Sequence, residues 1–308
     1  MSEFHVVLGA GQVGPLVAAA LVEQGYRVRV IRKSTKPVDI KGVEVVSMDI
    51  SDADEVARQT EGASSVYHCV NPPYSQWSQL LMKMTGGIVE GTLKSGADLI
   101  VLDNLYMYGD TSKMNAYTPV APVSRKGKLR AEAAELMLSP AMKGNRRVVI
   151  GRAADFFGPG TTQSLLGDRF FHRVLGGKNG EAFGNPDMLH SYSYVPDVAA
   201  GLVKLGTTKG AEGIYMLPLQ PAETTREVYQ RFYRALGVER DISRIPGWFL
   251  RAMGLFNRDM GELVEMLYQW EQPFIVDDSR IRAEFGLVPT PWEEAVDRTI
   301  EWGRAVFG

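Results

Sequence analysis

Residues 4–14 read FHVVLGAGQVG, a largely apolar run that breaks into closely spaced glycines and then continues as an apolar helical pattern. The pattern predicts a strand, a turn and a helix, with a different task for each glycine. Gly9 is expected to form the tight turn, Gly11 to let the backbone approach a pyrophosphate, and Gly14 to pack the helix closely on the strand. The segment therefore predicts a dinucleotide-binding loop.

The residues that follow complete a β-α-β unit. A helix is predicted over Val13–Glu23, Gly25 closes it, and a second strand is predicted over Arg27–Ile31. The helix begins near Gln12 and Val13, so its unpaired N–H groups and the positive end of its dipole are expected to face the phosphates. This context favours a binding loop over a glycine-rich turn without function.

The end of the second predicted strand indicates which cofactor is bound. An NAD site usually carries an acidic residue here for the ribose 2′-hydroxyl, whereas an NADP site uses an arginine for the 2′-phosphate. The chain reads Arg32-Lys33-Ser34, which offers a fork of donors, a point charge and a hydroxyl. NADP is therefore predicted in preference to NAD, although these residues would also suit a solvated loop.

Composition limits the class of protein. With 308 residues, a formal net charge of −2 and one cysteine, the chain favours a nucleotide-binding domain plus a smaller one. The charge gives no reason to expect a nucleic-acid or membrane partner. Cys69 suits a small core residue in a reducing cytoplasm, the expected location, and the four histidines and single cysteine show no metal-ligand spacing.

Strands and helices continue to alternate after the first unit, which predicts a doubly wound parallel sheet of the Rossmann type. Further strands are predicted at Val43–Met48, Ser65–Val70, Leu99–Asp103 and Arg147–Ile150, and helices at Asp52–Arg58, Gln76–Lys94 with an interruption at Gly86-Gly87, and Lys126–Leu138.

The remaining sequence is mostly helical and is expected to form the substrate side. Residues 1–155, with 191–217 returning to them, are assigned to the NADP-binding domain, and residues 156–190 and 218–308 to the smaller domain. The helices of this second part are predicted near Thr225–Leu236, Pro246–Met253, Glu262–Gln269 and Pro291–Ala305.

Several strings in fixed order resemble the NAD(P)-dependent epimerase/dehydratase family, the extended or atypical short-chain dehydrogenases/reductases. The strings are GAGQVG at 9–14, MDISD at 48–52, VNPPY at 70–74, YMYG at 106–109, RAADFFGPG at 152–160 and YVPDVA at 194–199. The resemblance extends over essentially the whole chain, since 274–279 and 285–291 are similar to the closing segment of the family.

The resemblance implies further cofactor contacts. Asp49 would accept from the adenine amine and Ile50 would lie on its ring, while Val70, Asn71 and Pro72 would line the crevice at the end of the fourth strand. Two plainer alternatives stay open. Asp49 would also suit a helix N-cap partner together with Ser51 and Asp52, and the Asn-Pro-Pro segment an ordinary turn.

The expected catalytic residues are replaced. The family uses Ser or Thr after the fifth strand and Tyr-x-x-x-Lys on the next helix, and alignment puts Asn104, Lys126 and Arg130 in those places. Residues 126 and 130 share a helix face. Arg130 is expected to keep the cofactor ribose contact, Lys126 to bind a carboxylate or oxyanion, and Asn104 to donate to a carbonyl oxygen. A solvated basic helix face is the alternative for the two cations.

The missing proton donor has three candidates. Tyr108 and Tyr106, two residues apart near a strand end, would face the same side if extended geometry persists. His190 would act as an acid near the nicotinamide. For all three residues a purely structural role is the alternative. Asp197 is interpreted as a helix cap.

Two functions remain open at this stage. The first is an NADP-dependent oxidoreductase or epimerase/dehydratase-like enzyme that acts on a small carbonyl or hydroxyl compound through an altered proton relay. The second is a catalytically impaired NADP-binding sensor or regulatory protein. A small-molecule substrate is the expected partner, and a homodimer is left open.

Overall fold

A computed structural model of the chain describes residues 2–35, 40–139, 146–256 and 258–308. Its centre is a seven-stranded sheet in which every neighbouring pair is parallel. The strands of the described chain are β1 (Phe4–Leu8), β2 (Arg27–Arg32), β3 (Val43–Ser47), β4 (Ser65–His68), β5 (Asp98–Asp103), β6 (Lys113–Met114), β7 (Val148–Arg152), β8 (Asp155–Phe157), β9 (Gly180–Phe183), β10 (Leu189–His190), β11 (Tyr192–Tyr194), β12 (Gly213–Met216), β13 (Glu223–Thr224), β14 (Ile242–Ile245) and β15 (Ile275–Val276).

The central sheet has the order β12-β7-β5-β4-β1-β2-β3, so its direction of growth reverses between β1 and β4. In open α/β sheets a ligand binds at such a reversal, outside the carboxyl ends of the strands. The predicted Rossmann-type doubly wound fold is therefore confirmed.

Helices cover both faces of the sheet and build the second part of the molecule. They are α1 (Gly14–Glu23), α2 (Ala53–Thr60), α3 (Trp77–Ser95), α4 (Arg125–Leu138), α5 (Asp168–Leu175), α6 (Val195–Thr207), α7 (Thr225–Leu236), α8 (Gly247–Gly254), α9 (Arg258–Val264), α10 (Tyr268–Glu271), α11 (Ser279–Phe285) and α12 (Trp292–Phe307), with single 3₁₀ turns at Tyr74–Gln76 and Tyr106–Tyr108.

The predicted interruption of the long helix at Gly86-Gly87 is wrong, because α3 is continuous. Gly87, together with Gly91 one turn later, serves helix packing instead. A Cβ at Gly87 would lie 2.6 Å from the carbonyl oxygen of Ile50, and one at Gly91 would lie 2.5 Å from Cβ of Val56. Small residues here let α3 lie close against α2 and the loop before it.

Three main core clusters organise the chain. Side chains of α1 and α6 pack on one face of the sheet, and those of α3 and α4 on the other. A third, aromatic cluster joins β8, α5, α7 and α12, with Phe157 stacked on Trp292 at 5.1 Å. Ile281 of α11 packs with the first cluster. Within the described ranges, no helix is long and apolar enough to cross a membrane.

Candidate active site

The glycine loop has the geometry that its sequence predicts. Gly9 has a φ of +105°, a region that favours glycine, and its N–H donates to the carbonyl oxygen of Ile31 at 2.7 Å. A Cβ at Gly14 would overlap the carbonyl oxygen of Gly9, so only glycine lets α1 pack so closely. A Cβ at Gly11 would meet no heavy atom of the described residues within 4 Å, apart from its chain neighbours. The loop therefore leaves open space beside Gly11.

The N-terminus of α1 suits an anion. Val13 is its N-cap and makes no capping hydrogen bond through its side chain within the described chain, and a proline occupies the first turn. Gln12 lies beside this turn, where its side-chain oxygen accepts from the N–H of Gln163 at 3.2 Å. Free helix N–H groups and the helix dipole favour a phosphate at this point. These residues fit the pyrophosphate of a dinucleotide.

The end of β2 carries the positive charge expected there. The guanidinium of Arg32 donates to the Ser34 hydroxyl at 3.3 Å, and the Ser47 hydroxyl donates to the carbonyl oxygen of Lys33 at 3.0 Å. The carboxylate of Asp49 accepts from the N–H of Ser51 at 2.9 Å. This bond, with help from the charge of Lys33, lowers the pKa of Asp49. The group thus contains an acid as well as two cations.

The two adenine candidates occupy different environments. Asp49 is exposed, whereas Ile50 is 6% exposed and belongs to the core cluster beneath α3. The N-cap of α2 is Asp52, whose carboxylate accepts from Asp54 and Glu55, both at 3.1 Å. Asp49 accepts from the N–H groups of Ser51 and Asp52 beside this cap, as the alternative of an N-cap partner expects, and the contacts of Asp49 and Ile50 with adenine stay a prediction.

The residues after β4 connect the glycine loop to the crevice. A Cβ at Gly9 would lie 2.9 Å from Cγ2 of Val70. The next residue, Asn71, accepts a hydrogen bond from the guanidinium of Arg130 at 2.5 Å. Pro72 is buried, and its carbonyl oxygen accepts from the indole N–H of Trp77 at 2.8 Å. Residues 70–72 are thus fixed by contacts to the glycine loop on one side and to Arg130 and Trp77 on the other.

Arg130 is buried among fixed partners and is not part of a solvated helix face. It is 5% exposed, its guanidinium lies 4.4 Å from the ring centre of Trp77, and it forms an ion pair with Asp103 at 3.5 Å. Asp103 also pairs with Arg152 at 3.3 Å. The position of Arg130 beside Asn71 suits the expected contact with the cofactor ribose, which stays a prediction.

Tyr106 and Tyr108 do not face the same side. The expectation of extended geometry is wrong, because the two residues lie on a 3₁₀ turn. In such a turn residues two apart point in different directions. The hydroxyl of Tyr108 is 2.5 Å from Nη1 of Arg152, and the residue is 2% exposed within a core cluster. The ring of Tyr106 instead lies near those of Tyr74 and Trp77, which we call the aromatic wall.

Tyr106 and Tyr74 form a pair of hydroxyls at the crevice. Their oxygens are 2.5 Å apart, and both rings lie near Trp77. Desolvation, helped by the charge of Asp155, holds the pKa of the Tyr106 phenol well above its ordinary value. Tyr106 is therefore protonated at neutral pH. The side chain of Asn104 accepts from the N–H of Tyr106 at 3.1 Å and so orders this turn.

Lys126 is the clearest departure from a solvated basic face. It is 1% exposed, and its ammonium binds a carboxylate oxygen of Glu262, the carbonyl oxygen of Glu262 at 3.1 Å and a carboxylate oxygen of Glu265 at 3.1 Å. Its backbone N–H also donates to Glu265 at 2.6 Å. The predicted substrate-binding cation is thus saturated by acceptors of its own chain.

His190 is buried and paired with an acid. Its Nε2 is 2.9 Å from the Asp155 carboxylate, and its ring stacks on Phe274 with centres 5.0 Å apart. Asp155 also influences the Tyr106 phenol, so the imidazole, the carboxylate and the phenol belong to one neighbourhood. A second buried histidine, His68, lies near the positive charge of Arg130. Burial and the charge of Arg130 lower its pKa to about 3.

Asp197 is not the predicted helix cap. It lies in the first turn of α6, and its carboxylate accepts from both the N–H and the hydroxyl of Thr290, at 2.8 and 2.7 Å. It therefore ties the closing segment to α6.

Sequence reasoning missed residues that surround the replaced positions. They share a role as partners of Tyr106, Lys126, Arg130 or His190, and a pattern search for catalytic spacings does not find them because each comes from a different element. These residues are Tyr74, Trp77, Asp103, Asp155, Glu262 and Glu265.

Residues 5–217 match the family model described as the NAD dependent epimerase/dehydratase family. A curated relative, 3beta-hydroxysteroid-dehydrogenase/decarboxylase isoform 2 of Arabidopsis thaliana, is 20% identical over 302 residues, which cover 84% of this chain and 52% of the relative. The chain thus spans about half the length of the curated relative that it matches.

Solved structures show the same fold. UDP-glucose 4-epimerase of Thermotoga maritima, crystallised with UDP-glucose, has a TM-score of 0.79 and 18% identity, with 99% of this chain and 100% of that one covered. The dTDP-glucose 4,6-dehydratase of Bacillus anthracis, in complex with NAD, has a TM-score of 0.81 and 15% identity, with 99% and 97% covered.

Proposed function

The chain belongs to the NAD-dependent epimerase/dehydratase family, and from that membership we propose that it is an NADP-dependent oxidoreductase or epimerase-like enzyme for a small carbonyl or hydroxyl compound. The observation that carries this proposal is the pair of hydroxyls of Tyr74 and Tyr106, 2.5 Å apart, beside the buried cation Arg130. A proton donor is thus available although the family's tyrosine is absent.

The cofactor choice is based on charge. The family and a structural neighbour solved in complex with NAD support a nicotinamide dinucleotide. NADP is proposed because Arg32 ends β2 and Lys33 follows it, with no acid in the string Arg32-Lys33-Ser34, and a guanidinium with a hydroxyl beside it suits a phosphate. The open space at Gly11 and the unpaired start of α1 would hold the pyrophosphate.

The bound dinucleotide would supply or accept a hydride. The chain's own residues then handle the proton. We assign to Tyr106 the donation of its phenolic proton to a substrate oxygen, with the Tyr74 hydroxyl as its hydrogen-bond partner. Desolvation raises the pKa of Tyr106, so the phenol stays protonated and keeps a proton to donate. Asp155 and His190 form a second polar pair nearby.

A cofactor-binding protein without turnover is the second candidate. Lys126 occupies the position at which the resemblance places the proton-transferring tyrosine, and its ammonium is saturated by Glu262 and Glu265. An ammonium held in this way cannot turn to a substrate without breaking buried ion pairs. This observation favours a sensor if no substrate is turned over.

The decisive experiment follows consumption of NADPH with a panel of carbonyl compounds that includes ketosteroids and nucleotide-activated keto sugars, the classes suggested by the names of the relatives. Tyr106→Phe should lower kcat by about a hundredfold or more with unchanged affinity for NADPH. Tyr108→Phe, two residues away on the same turn, is the matched control and should mainly lower stability, because its hydroxyl binds Arg152.

The outcomes separate the candidates. Full turnover by the Tyr106 variant, with a strong loss in the Tyr108 variant, would show that the proposed donor is wrong. Tight NADPH binding without turnover of any compound would favour the sensor.

A further inference from the structure

Asp155 and His190 form a hydrogen-bonded pair whose two members differ in exposure. The His190 side chain is 2% exposed, whereas the Asp155 side chain is 29% exposed. The Oδ2 atom of Asp155 lies 2.9 Å from Nε2 of His190. Among the described residues, no arginine or lysine lies within 4 Å of the carboxylate, and its second oxygen accepts no hydrogen bond. The carboxylate thus has one oxygen fixed by the imidazole and one left for another donor.

This carboxylate lies in the neighbourhood of the Tyr74 and Tyr106 hydroxyls. Asp155 begins β8 directly after Ala154, and Ala154 belongs to the same core cluster as Leu105, the residue before Tyr106. Desolvation raises the pKa of both phenols, and the charge of Asp155 adds to the shift. A hydrogen-bond acceptor and the assigned proton donor therefore lie in the same part of the crevice.

The imidazole of His190 is held among aromatic rings. Its ring centre lies 4.9 Å from that of Tyr192 and 5.0 Å from that of Phe274. The ring of Trp270 lies 6.4 Å away and nearly parallel to it. A side chain so buried and so confined offers a substrate little surface. Its effect on a substrate is therefore exerted through the carboxylate that it orients.

Building on the proposed function, we propose that Asp155 accepts a hydrogen bond from a substrate hydroxyl next to the reacting carbonyl group, with His190 as its positioning residue. A carboxylate is an acceptor without a donor, and its hydrogen bonds to hydroxyls are short and strong. The same charge repels a second anion in a crevice from which water is partly excluded. The preferred substrate class is therefore an uncharged α-hydroxy ketone, and an α-keto acid is disfavoured.

The experiment compares phenyl ketones that differ only beside the carbonyl group. 2-Hydroxyacetophenone carries a hydroxyl there, acetophenone a hydrogen, and phenylglyoxylate a carboxylate oxygen pair. Consumption of NADPH measures kcat and KM, and isothermal titration of each probe into the protein with NADP⁺ measures affinity. We expect the hydroxy ketone to bind about tenfold or more tightly than acetophenone, and phenylglyoxylate to bind most weakly.

Variants assign this preference to the pair and cancel the intrinsic difference in reactivity between the probes. Asp155→Asn keeps the shape and removes the charge, so it should reduce the preference for the hydroxy ketone by about tenfold, mainly through KM, and improve binding of phenylglyoxylate. His190→Phe should lower the preference, whereas His190→Gln, which still has an N–H to donate, should retain most of it. Asp54→Asn removes an exposed carboxylate on α2 and is the matched control.

The outcomes separate this proposal from the proposed function. Turnover of the probes without preference, or a preference that survives Asp155→Asn, would overturn the role of Asp155 and leave the enzyme standing. A binding preference that depends on Asp155, without turnover of any probe, would support the site and contradict the enzyme. Absence of both binding and turnover would reject the substrate class. If Asp155→Asn does not fold, the ranking of the probes by the wild type and by the two His190 variants decides. Equal losses in His190→Gln and His190→Phe would show that His190 does not position the carboxylate.

Discussion

The glycine loop at residues 9–14 and the Lys126 cluster, which consists of Lys126, Glu262 and Glu265, are built in different ways. The loop consists of six consecutive residues whose backbone makes the site. In the Lys126 cluster, the ammonium takes its partners from Glu262 and Glu265, more than 130 residues away in the chain. A site made by backbone shape can be identified from a short string, whereas a site made by converging side chains cannot.

The difference extends to what each region tolerates. The loop has no freedom at Gly9 or Gly14, where a positive φ and a close carbonyl oxygen require glycine. The Lys126 cluster instead consists of side chains from distant parts of the chain, joined by buried ion pairs. Substitutions should therefore separate cofactor binding in the loop from stability and turnover around Lys126.

The largest effect is expected from Lys126→Ala. It leaves the carboxylates of Glu262 and Glu265 in a buried site without their shared cation, which should lower the free energy of unfolding by about 3–5 kcal/mol. Denaturant unfolding measures the change, and exposed Lys128→Ala should stay within about 0.5 kcal/mol of the wild type. Equal stabilities of the two variants would mean that the buried cluster does not form.

Gly11→Val tests the other side of the contrast. Its side chain would enter the open space beside the loop, so cofactor affinity should fall by about a hundredfold or more, about 2.7 kcal/mol, while Tm barely changes. Fluorescence titration with NADPH and thermal unfolding give the two readouts. Gly14→Val is the control with the opposite outcome, since its Cβ overlaps Gly9 and should destabilise the fold. A folded Gly11→Val protein with normal affinity would place the pyrophosphate elsewhere.

Arg32→Ala tests the proposed contact between the protein and the 2′-phosphate of the cofactor. Loss of a charge-assisted contact to the 2′-phosphate should weaken NADPH binding by about ten- to a hundredfold, about 1.5–3 kcal/mol, with little change for NADH. Isothermal titration with both cofactors measures the preference. Arg27→Ala, at the start of the same strand, should leave the ratio unchanged. Equal affinity of the wild type for NADPH and NADH would reject the NADP assignment.

Within the first pH unit below 6.5, the smallest effect is expected at His68. Burial and the charge of Arg130 lower its pKa to about 3, against about 6.5 in the unfolded chain. Below pH 6.5 the unfolded state therefore takes up a proton that the folded state refuses, so this residue makes stability fall with decreasing pH by up to about 1.4 kcal/mol per unit. Unfolding of His68→Gln at several pH values should show a shallower decline than the wild type. Parallel curves would show that His68 is not protected from protonation.

The short sequence motifs were sufficient to predict the family and most of the helices and strands. Helix α7 begins and ends as predicted at Thr225–Leu236, and the first six strands of the sheet lie close to their predicted places. Periodicity and turn residues are local signals, and here tertiary contacts agree with them. The interruption predicted in α3 was wrong because a glycine inside a helix can serve close packing as well as a break.

The catalytic candidates show where local reasoning ends. Strand geometry at Tyr106 and Tyr108 was a reasonable expectation after β5, but the chain forms a 3₁₀ turn that separates the two hydroxyls. Likewise, no spacing in the sequence connects Lys126 with Glu262 or His190 with Asp155. These pairs exist because distant elements converge at the crevice.

The sequence by itself determined the β-α-β unit, the order of strands and helices, and the glycine loop, because these depend on backbone conformation and on hydrophobic periods within a few residues. Only the tertiary structure decided that Lys126 is ion-paired with Glu262 and Glu265, and that Tyr106 and not Tyr108 lies near Tyr74 and Trp77. It also decided that α8 exposes apolar side chains. The physical reason is that burial and ion pairing depend on groups that are close in space but far apart in the chain, and the fold alone sets those distances.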